Sequence, residues 1–383
     1  MEVFTAYAIL KIVWWLLLGV LLMGLAIMVG MDMGVGTILR YVGRTDEDRR
    51  IALNIIGPHW DGNQVWFILG GGAIFAAWPT IYGTAFSGLY VVMLVLLWSM
   101  IIRPLGFEYR SKLPSRQWRN VWDWALFVSG FVPMLVYGAA MGNVLMGFPF
   151  HFAQEGTAVS VYTGSFINLF NPFAILAGLL SVSMSALMGA LMLMIRGEGV
   201  LHERARRVAT LAGPVALGLF TVMGFWVANM KGFVINGPID PGMAATPLAS
   251  QPVAIVSGGW LHHYAAHPVL WLLPLMTYAS VALATLLART GRSHVAWWLG
   301  ALGWIGILGT AAAATFPFLM PSLTDPAHSL LVWNASSSAN TLGWMLGWSI
   351  VFVPTIILYT SWCFWIMRGK VTARQVASDD HAY

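Results

Sequence analysis

One cysteine, Cys363, is the whole thiol content of this chain. It excludes a disulfide within the chain, a thiolate-held iron–sulfur cluster and a C-x-x-C-H haem attachment. Charge is almost as scarce: Asp, Glu, Lys and Arg make up 9% of 383 residues, against about a quarter in a soluble globular domain. That shortage excludes a soluble fold. No P-loop, Rossmann glycine pattern or H-E-x-x-H occurs, so nucleotide- and zinc-driven chemistry has no support. The formal charge of +5 is spread over several clusters rather than one patch, and no nucleic-acid partner is expected. The first apolar run starts almost at once, lacks a basic leader and a small-residue cleavage site, and is too long for an h-region; a cleavable signal peptide is not expected.

What the chain has is apolar length. Hydrophobic residues make up 58% of it and the mean hydropathy is +0.74. Runs of about 20 apolar residues, enough to cross a ~30 Å hydrocarbon core, recur throughout. The pattern predicts an all-α polytopic membrane protein of about nine spans, at 10–38, 51–78, 80–102, 121–144, 166–195, 206–229, 264–288, 295–317 and 341–366. Two four-helix bundles plus one peripheral helix, all in one membrane domain over 1–383, is the expected arrangement. Basic residues fix the direction, because cytoplasmic loops carry the excess of Lys and Arg. All but Lys11 and Lys231 of the 20 fall after spans one, three, five, seven and nine. The N-terminus is therefore expected outside and the C-terminus in the cytoplasm. The outer connections, 145–165, 230–263 and 318–340, show no strong periodicity.

Polar residues inside such a chain are costly and by default functional. Asp32, in GMDMG, and Asp61, in PHWDGNQVW (58–66), are both placed in the cytoplasmic third of the bilayer, where a route for cytoplasmic protons begins. Gly30 and Gly34 flank Asp32 at a G-x-x-x-G spacing that lets another backbone approach; a proton-path acid and a satisfied interhelical hydrogen bond both fit. Pro58 either starts the second span or frees a carbonyl within it. His59, Asn63 and Trp66 share one helical face while Asp61 and Gln64 share another, so this helix cannot face lipid there. The plain alternative is a cytoplasmic helix end with Trp60 and Trp66 as interfacial anchors. Glu108 and Asp123, at either end of the third cytoplasmic connection, are placed to pair with nearby arginines or to admit protons. Of nine histidines only His59 is mid-helix, so a bis-histidine haem site is not expected, and the 21 methionines read as packing. LHHYAAHP (261–268) reads as an outer interface beside Trp260 and Trp271.

Taken in order, WWLLLGVLLMG, GMDMGVG, DRRIALNIIGPHWDGNQVW, GGAIFAAWP, YGTAFSGLYVVM, RPLGFEYRSK, WRNVWDW, GNVLMGFPF, FPFLMPS and LYTSWCFW run nearly end to end. This series resembles subunit II of the cytochrome bd quinol oxidases. The resemblance implies a bacterial inner-membrane complex with a larger haem-bearing subunit I, which carries two haem b and one haem d, oxidises quinol and reduces oxygen to water. It implies that this chain ligates no haem or metal, stabilises subunit I and helps conduct protons from the cytoplasm, with Asp61, Glu108 and Tyr383 on the route; from the residues themselves, Asp32, His59, Trp60 and Asp123 are further candidates for the same pathway. Membrane lipids, a quinone held at a non-catalytic position and a small single-span accessory subunit complete the partners it raises. Two departures stand out: the family often reads DGFDMG where this chain has VGMDMG, so Val29 replaces an acid, and Asn334 stands where an aspartate is expected. The rival reading is a standalone proton-coupled transporter, which predicts midplane carboxylates and inverted halves; neither is visible in the sequence.

Overall fold

The computed structural model describes residues 5–153 and 159–378. Its helices are α1 (Ala6–Gly24), α2 (Gly30–Val42), α3 (Asp46–Ile56), α4 (Trp60–Ala77), α5 (Pro79–Gly88), α6 (Tyr90–Tyr109), α7 (Arg116–Met146), α8 (Pro172–Arg196), α9 (Gly199–Asn229), α10 (His262–Ala266), α11 (Leu272–Arg289), α12 (Ser293–Thr315), α13 (Ala339–Ile366) and α14 (Ala373–Ser378). A π-helical turn, Leu25–Val29, joins α1 to α2. Starts follow local chemistry. Thr45 and Asp48 form a capping box ahead of α3, Asn171 caps α8 just before Pro172, and the hydroxyl of Ser338 caps α13; each satisfies amides that a helix start leaves unpaired.

Among the described residues eight helical stretches are long and apolar enough to cross a membrane. The expected second span, 51–78, is the one missing from them. It folds as α3 and α4, with Pro58 in the turn between them rather than at a helix start. The amide of Gly57 reaches the Leu53 carbonyl at 2.8 Å and that of His59 reaches Ile56 at 3.0 Å, so the break is hydrogen-bonded. The third span differs too: it divides into α5 and α6, and α6 continues past Arg103 to Tyr109.

Packing centres on α8, in which 83% of the most apolar window is buried. It touches α2, α7, α9 and α12. The G-x-x-x-G of α2 explains the closest approach: a Cβ on Gly34 would lie 1.8 Å from the carbonyl oxygen of Ser185, and one on Gly189 2.5 Å from the amide nitrogen of Val35. The two backbones meet with no side chain between them. At the other extreme stands α13, with 6% of its window buried, leaning on α1 and α4.

The connections expected to lack periodicity hold three short antiparallel hairpins, β1 (Phe150–Phe152) with β2 (Ser160–Tyr162), β3 (Lys231–Ile235) with β4 (Val253–Ser257), and β5 (Phe318–Met320) with β6 (Leu330–Leu331). Phe150, Phe233, Trp260 and Phe318 bury their rings in a cluster of their own. Lys11, fully buried, ties this end together: its ammonium donates to the carbonyls of Pro241, Met243 and Trp333 at 3.2, 2.8 and 2.7 Å and lies 4.0 Å from the Tyr7 ring centroid.

Candidate functional site

The break before α4 turns a polar segment into the junction of α2, α4 and α6. Asn63, one turn into α4, is buried and donates from Nδ2 to Oδ2 of Asp32 at 2.8 Å. Trp60 is buried, its ring stacked on Phe107 of α6 at 4.9 Å between centroids and 2° between planes. It is therefore not an interfacial anchor. Trp66 also turns inward, against Gly24 of α1. Arg103, 3% exposed, lies 5.8 Å from both stacked rings, donates to the Met33 sulfur at 3.0 Å and acts electrostatically on Asp32.

Asp61 takes the opposite face of α4 and is exposed, at the head of an exposed stripe that continues through Val65, Ile68, Gly72 and Phe75. Glu108 is exposed in the same way, below Leu97, Ile101 and Leu105 on α6. Each acid directly follows one of the two stacked rings, Trp60 and Phe107, so the stack brings the two acids to the same end of neighbouring helices.

Asp123 has its carboxylate fully occupied. Oδ1 accepts from Arg110 Nε at 2.7 Å and Oδ2 from Arg49 Nη1, while Asp46 joins Arg110 at 2.9 Å and Arg119 at 2.8 Å. This ties α3 to α6 and α7, the pairing role that the flanking arginines suggested. Tyr383 lies outside the described residues.

His59 is 5% exposed and stacked on Phe364 of α13, ring centroids 3.9 Å apart. It opens on a cleft of about 460 Å³ whose lining includes Met31, Trp66, Met192, Arg196, Trp297 and Phe364. Two buried nitrogens of that lining, His59 Nε2 and Trp297 Nε1, have no protein partner. Among the described residues no three His, Cys, Asp or Glu side chains gather as a metal site would require, LHHYAAHP included.

Two arginines expected in cytoplasmic loops lie elsewhere: Arg103 sits inside α6, and Arg196 is a buried helix end whose guanidinium donates to the carbonyls of Ile55 and Gly369 at 2.9 and 3.1 Å. The R-P pair at 103–104 was the available signal. It reads as a helix stop, but here Pro104 lies within the helix.

Fold and site define a multi-pass helical membrane protein with a titratable cluster near one end of its bundle. Residues 10–367 match the family model for cytochrome bd terminal oxidase subunit II. The chain is 45% identical over 377 residues to cytochrome bd-I ubiquinol oxidase subunit 2 of Escherichia coli K12, covering 98% of this chain and 99% of that one. It is 42% identical over 376 residues to the probable cytochrome oxidase subunit 2 of Haemophilus influenzae, with 98% and 99% covered. The bd oxidase structure from Geobacillus thermodenitrificans superposes with a TM-score of 0.65 over 91% of this chain and 97% of its own, at 14% identity, a likeness of fold. The chain belongs to the cytochrome bd terminal oxidase subunit II family. It is subunit II of a bd-type quinol oxidase, a quinol:oxygen oxidoreductase complex, and the transporter reading is not favoured.

Proposed function

We propose that this subunit stabilises a haem-bearing subunit I and delivers protons to it from the cytoplasm, with Asp61 and Glu108 at the entry. The observation that carries the reading is the exposure of Asp61 at the head of an apolar stripe on α4. A carboxylate bared to lipid costs several kcal/mol, so such a face is covered by protein or lines water. The stripes of α4 and α6 and the bare aromatic side of α13 then form the docking face for subunit I, and Asp61 and Glu108 lie buried at the seam. The α3–α4 pair counts as the second of nine crossings, with the N-terminus periplasmic and the C-terminus cytoplasmic in a bacterial inner membrane. Tyr383 joins the path in this reading. Two haem b and one haem d belong to subunit I, where quinol is oxidised and oxygen reduced. The cleft beside His59 suits a non-catalytic quinone: its walls are mostly apolar, with His59, Arg196 and His294 among the polar groups that line it.

The test is Asp61→Asn in the assembled complex. The variant is expected to keep its haem spectrum and lose about tenfold or more in oxygen consumption, the scale of a lost proton-transfer group. Unchanged turnover at full haem content would reduce the chain to a scaffold.

A further inference from the structure

Within the junction of α2, α4 and α6, two of the buried atoms without a protein partner belong to charged groups. Asp32, 1% exposed, spends Oδ2 on Asn63 and has no protein partner for Oδ1. Arg103, 3% exposed, spends Nη1 on the Met33 sulfur and has none for Nη2. One leftover is an anionic acceptor and the other a cationic donor, on residues whose charges act on each other. A buried ion without a counter-charge is strongly destabilising, and a thioether is too weak an acceptor to hold a guanidinium in apolar surroundings. No hydrogen bond or ion pair joins them directly, so what couples them is their opposite charge, acting through space or through one bridging water.

Both residues also grip the same short segment. Asp32 holds Asn63, two residues past Asp61; Arg103 lies against the ring of Trp60, one residue before it. Asp61 itself makes no gripping contact of its own and is exposed. Where its carboxylate points is set by its neighbours.

We propose that Arg103 is the fixed counter-charge of Asp32 and that this pair, through Asn63 and Trp60, is the positioning device for Asp61. Asp32 then serves as a fixed anchor and does not carry the transported proton. Carboxylate relays exchange protons with a chain of acceptors, whereas this carboxylate faces an amide and a guanidinium, neither of which takes a proton under cellular conditions. The inference rests on Asp61 as the proton entry, and it adds a residue, Arg103, to that function.

The experiment is a charge-removal cycle in the assembled oxidase, comparing Asp32→Asn, Arg103→Met and the double variant, each read as haem content and as oxygen turnover per haem, in water and in deuterium oxide. Each single variant leaves one buried charge alone and is expected to lower turnover per haem by about tenfold or more. Proton delivery then becomes slower than chemistry, so the solvent isotope effect rises. The double variant removes both charges, keeps an acceptor for Asn63 in the new amide, and is expected to recover to within about threefold of the parent with the parent's isotope effect. If the single variants do not assemble, recovery of assembly in the double variant carries the same meaning. A double variant as slow as Asp32→Asn at full haem content would overturn the proposal and make Asp32 a relay. A double variant that fails to assemble would overturn it equally. Failure of the underlying reading is separate, since it appears as full turnover in Asp61→Asn whatever the cycle shows.

Discussion

The buried carboxylate of Asp123 separates a structural role from a proton-path role within one substitution. Asp123→Asn leaves a side chain of the same shape that can still accept one hydrogen bond, but it removes the charge shared by Arg110 and Arg49. Breaking a fully buried ion pair costs about 3–5 kcal/mol. Two features lower that figure: the Arg49 side chain is 20% exposed, so water screens it, and Arg110 keeps Asp46, itself 38% exposed. The expected loss is then about 2–3 kcal/mol, a factor of about 30 to 150 in the folding equilibrium. The assay is thermal denaturation of the purified complex followed by size-exclusion chromatography, beside turnover per haem on the undamaged fraction. A lower midpoint with turnover per haem unchanged is the outcome predicted from the geometry. An unchanged midpoint with slowed turnover would refute it and put Asp123 on the proton route.

Gly34→Ala drives a methyl into the Ser185 carbonyl, so the complex should fail to assemble or lose more than about 3 kcal/mol, whereas Gly71→Ala, which meets nothing within 4 Å, should leave the fold of this chain intact; heating curves of both variants decide. Lys11→Met removes three hydrogen bonds to carbonyls of two outer connections, and limited proteolysis from the outer side is expected to cut the 236–252 segment faster than in the parent. Burial holds the His263 imidazole below its usual 6.5, against a hydrogen bond to Phe316 that raises it. Its contribution to stability is therefore present above pH 6.5 and is lost as pH falls toward its lowered value. His263→Gln should flatten the fall of the thermal midpoint as pH drops below about 6.5.

Apolar runs were enough to outline most of the helices, because a lipid-facing helix writes its length into composition alone. The break at 57–59 was not legible: Pro58 is compatible with a helix start, a kink or a turn, and only the inward stacking of Trp60 on Phe107 decides among them. The hairpins were hidden for a similar reason, since the rings that support them come from connections far apart in the chain. Asp61 and Asp32 could be picked out as acids in apolar surroundings. That Asp32 is buried and Asp61 exposed could not, because it depends on which face of α4 turns inward. Asp123 was ambiguous until Arg49, 74 residues away in sequence, was seen to reach it.

The sparse burial of α13 bears on the order in which the protein is made. Helices α2, α7, α8, α9, α11 and α12 hold one another through contacts already complete when the last span leaves the ribosome. With 6% of its apolar window covered, α13 gains almost nothing from joining them. Its fixed points are at its ends: the Leu342 carbonyl takes the indole hydrogen of Trp14, and beyond its far end the Val371 amide bonds the Arg196 carbonyl. A newly synthesised chain awaiting its partner would thus expose α13 to membrane proteases, and the rate at which an orphan subunit is cleared should depend on that helix more than on any other.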